Sequence, residues 1–284
     1  MDNRPHSELQ NMARLKTANT PNLDVLLLPA SAMTLAVEQA VQRGHQRAIT
    51  AAPVADQVAV RIAAAITMNR IQAGQRLLEA DISKVLQVSR APVREALRIL
   101  ERERLVEFQA RQGAVVTAPD ADDLQDIYIV RDALYQILLQ QLLTERPAKL
   151  RAAFEWHMPK LATAAEKLAV DDYTLESFLL NLAITDLSSN RLIVDLLTSI
   201  SLRTLRYVRL GLTADPGRLL TSLKSWRALK RAVDRQDLAA VLDTARKRMA
   251  GSRDAAISAL TQPPSTRLRG LPSHEPRQAR SRVR

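Results

Sequence analysis

The stretch QVSRAPVREAL, residues 87–97, sets Arg90 and Arg94 one helical turn apart, and Arg98 follows a turn later. A guanidinium offers a planar fork of N–H donors that matches the O6 and N7 acceptors of guanine, a pairing worth about 1–3 kcal/mol of discrimination between bases. The same fork suits phosphate oxygens. Reading of nucleic acid is therefore one chemistry this spacing allows. A solvated arginine face, paired with Glu95 and Glu101, is the other. The elements on either side of the stretch decide between them.

A helix starting at Arg90 places Val93, Ala96, Leu97 and Leu100 on one face and Arg90, Ala91, Arg94 and Arg98 on the other. Ser89 stands where an N-cap belongs, and Pro92 fits a first turn whose N–H groups have no intrahelical partner. Upstream, VADQVAVRIAAAITMNRIQAG (54–74) has helical spacing and closes on Gly74, suited to a left-handed cap. EADISKVL (79–86) predicts a second, short helix. Downstream, LVEFQARQGAVVTA (105–118) alternates on either side of ARQG, which predicts a β-hairpin with Gly113 at its tip. Three helices and a hairpin make a winged helix-turn-helix, whose third helix offers its N-terminal turns to the major groove.

Beyond Pro119 the pattern is helical throughout, over about 121–144, 148–168, 173–187, 190–212, 216–235 and 237–260, with breaks at ERP, VDD, SSN, TADPG and RQD. The expected fold is mainly α: an N-terminal winged helix-turn-helix followed by an all-α bundle of about six helices. Four segments result: an extension over 1–53, disordered or lying outside the native protein in part; the winged domain over 54–119; the bundle over 120–260; and a disordered basic tail over 261–284. Hydrophobic residues make up 46% of the 284 and aromatics only 3%, so the cores must come from Leu, Ile, Val and Ala.

The net charge of +11 points to an anionic partner. Six arginines in the tail, Arg267, Arg269, Arg277, Arg280, Arg282 and Arg284, face only Glu275, so part of that charge is a solubilising segment with nonspecific phosphate attraction. Cysteine is absent, which excludes disulfides and thiolate metal sites and suits the cytoplasm. No apolar run reaches the roughly 18 residues a membrane span needs. DVLLLPASAMTLAV is broken by Pro29 after a long polar lead and reads as part of the extension rather than a signal peptide. Met33 is a second candidate start, which would put residues 1–32 outside the native protein. The chain lacks a histidine cluster, a phosphate-cradling glycine loop and a G-x-S-x-G elbow, and this argues against an enzyme.

LLEADISKVLQVSRAPVREALRILERERLVEFQARQGAVV (77–116) resembles the DNA-binding domain of the GntR family. The helical segments behind it resemble the C-terminal ligand domain of that family's fatty-acid-regulator-like (FCD) branch, the two together spanning about residues 54–260. The resemblance implies a homodimeric repressor on a palindromic double-stranded operator, with a small-molecule effector modulating its binding. It carries base reading to Arg90 and Arg94, backbone or base contacts to Ser89 and Ala91, and minor-groove entry to the wing tip at Gly113. Arg98, Arg111 and Gln112 complete the expected DNA-contacting set. Two departures stand out. Gln87 occupies a turn position where the family usually has glycine, at a cost of about 1 kcal/mol if φ is positive there. Ala91 replaces a common threonine and removes a hydroxyl, so the operator sequence or affinity should differ.

Many FCD domains hold a divalent metal through one Asp and three His on three helices. Aligned on SSNRLIVDLL and RAVDRQD, those positions fall at Ser177, Asn181, Trp226 and Arg248. His157 is the one histidine between Pro119 and the tail, since His6 and His45 precede the winged domain and His274 lies in the tail. A three-histidine site is excluded by counting, and the expectation is no metal and no other cofactor. In its place Arg248 can supply positive charge as a bidentate carboxylate clamp, with Arg131, Asn181 and Trp226 around an organic-acid effector. The alternative keeps Arg248 in a surface set, ARKRM, with the cavity closed around Trp226. Asp171, Asp172 and Glu176 read as carboxylates serving a helix start, and His157 as a surface or helix-end residue without a role. YQILLQQLL (135–143) is too apolar for a solvated helix and packs either in the bundle or across a dimer interface. Two further readings remain: a regulator whose C-terminal domain no longer senses, and a nonspecific basic DNA-binding protein.

Overall fold

The computed structural model describes residues 21–43 and 53–261. A 3-10 turn (Leu23–Leu27), capped by the Asn22 side chain, leads into α1 (Ala32–Arg43). The winged head then runs α2 (Val54–Thr67), β1 (Arg76–Leu77), α3 (Glu79–Leu86), α4 (Arg90–Arg102), β2 (Val106–Gln109) and β3 (Gly113–Val116). Six helices follow: α5 (Ala121–Glu145), α6 (Pro147–Glu166), α7 (Val170–Thr185), α8 (Arg191–Ala214), α9 (Arg218–Asp234) and α10 (Leu238–Thr261). The mainly α class and the six-helix bundle are as expected. No helix among the described residues is long and apolar enough to cross a membrane.

In the head, Val93, Ala96, Leu97 and Leu100 are buried with Ile62 and Ile82, the face the helical wheel assigns to the core. The sheet is antiparallel in the order β1-β3-β2. Three local expectations need correction. Helix α2 stops at Thr67, and Asn69 (φ 56°), a residue that tolerates the left-handed region, turns the chain there. Gly74 (φ 75°) instead delivers the chain to β1, its N–H donating to the Val116 carbonyl at 2.9 Å. Gln109 pairs with Gly113, so the wing tip is Ala110 to Gln112, with Arg111 (φ 62°) and Gly113 (φ 76°) both left-handed.

The larger correction concerns the extension. Leu23, Leu26, Met33, Ala36, Val37, Ala40 and Val41 are buried, and α1 packs between α2 of the head and helices α7 and α8 of the bundle. The apolar core around α2 and α4 takes in Phe178 and Leu182 from α7 and Leu202 and Leu205 from α8. Arg61 on α2 donates to the Leu26 carbonyl at 2.7 Å, which ties the 3-10 turn to the head. The helical spacing of Met33, Val37, Ala40 and Val41 is sufficient for an amphipathic helix, and burial on two neighbours makes it stable. The expected disorder of the basic tail from residue 262 onward, and the positions of His6, His45 and His274, lie outside the described residues.

Candidate DNA-reading face and sensor site

Gln87 ends α3 in the left-handed conformation (φ 52°, ψ 41°), so the strain expected of a non-glycine residue at this turn is present. Ser89 is extended at the N-cap of α4, yet its side chain makes no capping bond. Its exposed hydroxyl and the first N–H groups of α4 therefore remain available to an anion. Arg90 and Ala91 are exposed in that first turn, and Arg90 makes no ion pair among the described residues.

Arg94 is engaged. Its Nε and Nη2 donate to Glu79 Oε1 and Oε2 at 3.0 and 2.9 Å, a bidentate bridge from α4 to the start of α3. The bonds from Arg94 hold the Glu79 carboxyl below the usual carboxylate range. Arg98 donates to Glu101 at 2.9 Å, as the solvated-face alternative has it, and its guanidinium lies 4.4 Å from the centre of the Phe108 ring. Arg111 and Gln112 are exposed at the wing tip and Gly113 at the start of β3 beside it, and Arg76 donates to the Arg111 carbonyl at 3.3 Å.

Within the bundle, residues far apart in sequence meet. Arg248 of α10 donates through Nη2 to Asn181 Oδ1 at 3.3 Å, and Asn181 Nδ2 donates to the Ser177 carbonyl at 2.7 Å. The Arg248 guanidinium carbon sits 3.7 Å from the centre of the Trp226 ring, and Trp226 in turn packs edge-on against Phe154. Arg131 of α5 donates to Thr204 Oγ1 at 2.8 Å and to Ser201 Oγ at 3.4 Å. Arg131 and Arg248 are 6% and 8% exposed. Neither has a carboxylate partner among the described residues, and Nε of each lacks a hydrogen bond, as does Trp226 Nε1. The hydroxyl of Tyr135 lies toward Arg248 and that of Tyr173 toward Ser222, neither in a well-formed hydrogen bond. Burial pushes the Arg248 pKa down, and the nearby charge of Arg131 works in the same direction. Burial pushes both phenols up, Tyr173 to about 12.

A match to the family described as bacterial regulatory proteins, gntR family, covers residues 54–116, and a match to the FCD domain covers residues 126–251. The chain belongs to the GntR family. In sequence it is 36% identical over 72 residues to the uncharacterized HTH-type transcriptional regulator YdhC of Bacillus subtilis, covering 25% of this chain and 32% of that one. It is 37% identical over 93 residues to the gluconate operon transcriptional repressor of the same species, covering 33% and 36%. Those alignments span about a third of each relative's length. In structure it is similar to E. coli McbR/YncC, with a TM-score of 0.61 at 20% identity over 74% of this chain and 98% of that chain. A putative GntR regulator from Rhodococcus sp. RHA1 gives a TM-score of 0.56 at 22% identity over 72% and 96%. A regulator rather than an enzyme is what this GntR membership means.

The FCD metal positions of this GntR chain do converge, but their chemistry does not suit a metal. Ser177 is engaged through its carbonyl, Asn181 through both ends of its amide, Trp226 offers no lone pair, and Arg248 brings positive charge to the centre. The alternative that kept Arg248 in a surface set is not what is seen: Arg246 and Lys247 are exposed, and Arg248 turns inward. His157 also departs from expectation. It is buried, and its Nδ1 lies 3.0 Å from Glu176 Oε2, linking α6 to α7, so Glu176 serves this pair rather than the helix start. Its neighbour Trp156 takes the exposed position instead. The YQILLQQLL run places Tyr135, Leu138, Leu139, Leu142 and Leu143 in the bundle core.

Sequence reasoning passed over Glu79, Tyr135 and Tyr173. Tyr135 had a usable signal, standing four residues after Arg131 on one helix and so on the same face. Glu79 and Tyr173 had none, because each meets its partner across separate elements.

Proposed function

We propose that this GntR-family protein is a cytoplasmic, homodimeric repressor that binds a palindromic double-stranded operator through α4 and the wing. A small organic acid, held without metal at Arg131 and Arg248, modulates that binding. The observation that carries the reading is the pair of buried guanidiniums with no acidic partner among the described residues, since an uncompensated buried charge costs several kcal/mol and an anionic ligand removes that cost.

The route to the DNA supports the same reading. Helix α7 carries Ser177 and Asn181 toward Arg248, and Phe178 and Leu182 into the core of the head. Helix α8 carries Ser201 and Thr204 toward Arg131, and Leu202 and Leu205 into the head. Arg206 of α8 also donates to Asn69 Oδ1 at 2.6 Å, at the turn that ends α2. A ligand that shifts α7 or α8 thus shifts the head as well. In the operator complex Arg90 and Arg94 read bases, Arg94 by leaving or sharing Glu79, while Ser89, Ala91, Arg98, Arg111, Gln112 and Gly113 line the DNA. The exposed Ile129, Val130 and Ile137 on α5 suit a subunit interface, and the similarity to a gluconate operon repressor supports repression.

Selection of bound sites from random duplexes by the purified protein tests the reading. An enriched palindrome, bound more weakly or in a shifted complex when a cognate organic acid is added, is the expected result. Enrichment of no motif would overturn it.

A further inference from the structure

We infer that the ligand of the Arg131–Arg248 site is a small dianion, a dicarboxylate or a phosphomonoester, rather than a simple monocarboxylate. This rests on the metal-free effector reading above and sharpens it.

The argument is one of charge and of unused donors. Arg131 and Arg248 together place two positive charges inside the bundle, and every side-chain group that accepts from them is neutral: two hydroxyls and one amide oxygen. These partners satisfy individual N–H groups but compensate no charge. The nearby charge of Arg131 further disfavours the charged form of Arg248, after burial itself. A monoanion neutralises one guanidinium and leaves the second buried and unmatched, whereas two anionic oxygen pairs neutralise both.

The free donors have the same multiplicity. Each guanidinium keeps an unbonded Nε, the edge from which a fork receives a carboxylate or phosphate side-on. Trp226 covers one face of Arg248 at 3.7 Å, which leaves the Nε edge for an in-plane approach. Trp226 Nε1 and the Tyr135 hydroxyl add two neutral donors, Tyr135 being held protonated by burial. The site therefore has cationic forks for two anionic groups and further donors for oxygens between or beside them. Among the described residues, no acidic side chain pairs with either guanidinium to favour an amine on the ligand.

Calorimetry on the full-length protein tests this with matched pairs: succinate against succinamate, glutarate against glutaramate, and glycerol phosphate against glycerate. At least one dianion should bind about tenfold or more tightly than its partner of lower charge. Arg131→Gln should bring that ratio close to one while weaker binding through Arg248 persists. The wild-type comparison stands by itself if the variant does not fold. Which dianion binds, dicarboxylate or phosphomonoester, identifies the source of the second charge. Equal binding of mono- and dianions overturns the proposal and leaves the organic-acid reading standing. Binding of no anion, with specific operator binding intact, overturns both.

Discussion

On α4 the side chains of Arg94 and Arg98 are 64% and 56% exposed, whereas in the bundle Arg131 and Arg248 retain 6% and 8% exposure. The exposed arginines have carboxylates beside them, Glu79 and Glu101, and Arg131 and Arg248 have none among the described residues. Physical expectation alone would put the acids where burial is greatest. Surface charges are solvated and screened, so their ion pairs are worth little and exchange readily for a phosphate. A guanidinium withdrawn from water has no such substitute, and the proposed anionic ligand would supply the counterion. On the proposed function, the same residue type meets a polymeric anion outside and a small one inside.

The strongest challenge to this contrast falls on the bundle. Trp226→Ala removes the indole that covers Arg248 and packs on Phe154, and should cost about 3–5 kcal/mol of stability. Denaturant unfolding measures it, and a loss below about 1 kcal/mol would show that the indole does not organise the sensor core. On the outside, Arg90→Ala should leave the fold intact and reduce discrimination between operator and random DNA by about 1–3 kcal/mol. Fluorescence anisotropy on both duplexes at one salt concentration reads this, and an unchanged ratio would remove Arg90 from the reading set.

Smaller effects sharpen the same contrast. Gln87→Gly relieves the left-handed strain before α4 and should raise the unfolding free energy by at most about 1 kcal/mol, without moving effector affinity. Glu79→Gln frees Arg94 but, at a part-exposed pair, should change stability by less than about 1 kcal/mol. A larger loss would mean that the bridge is structural rather than a resting place for Arg94. In alkali the buried side contributes a term of its own. Tyr173 ionises near pH 10 when unfolded and at about 12 in the fold, so the stability present below pH 10 should be lost as pH rises toward 12. Phenolate absorbance against pH, in native and denatured protein, checks the gap.

Much of the head is legible in the chain because its signals are local. The two faces of α4 and the short α3 follow from spacing and residue type within about ten residues, while the left-handed turn at Gln87 follows from the glycine that the resembled family usually has there. The ends of the six bundle helices also fall close to their turn residues. β1 escapes because two residues carry no period, and α2 is read too long because Asn69, not Gly74, turns the chain. His157 escapes because its partner Glu176 lies on the next helix. In the sensor, family resemblance marks Ser177, Asn181, Trp226 and Arg248 as one set but says nothing about their partners.

The sequence by itself determines the winged helix-turn-helix, the six-helix bundle and the loss of a three-histidine metal site. These depend on periodicity, on turn chemistry and on counting, none of which needs distant residues to be placed. Only the tertiary structure decides that Arg94 rests on Glu79 and that Arg131 and Arg248 are buried without an acid among the described residues. It also decides that α1 joins the head to α7 and α8. Those outcomes depend on which surfaces remain to be covered once helices pack. The apolar stripe of α1 prescribes a helix, but Phe178, Leu182, Leu202 and Leu205, more than a hundred residues away, help form the core it joins.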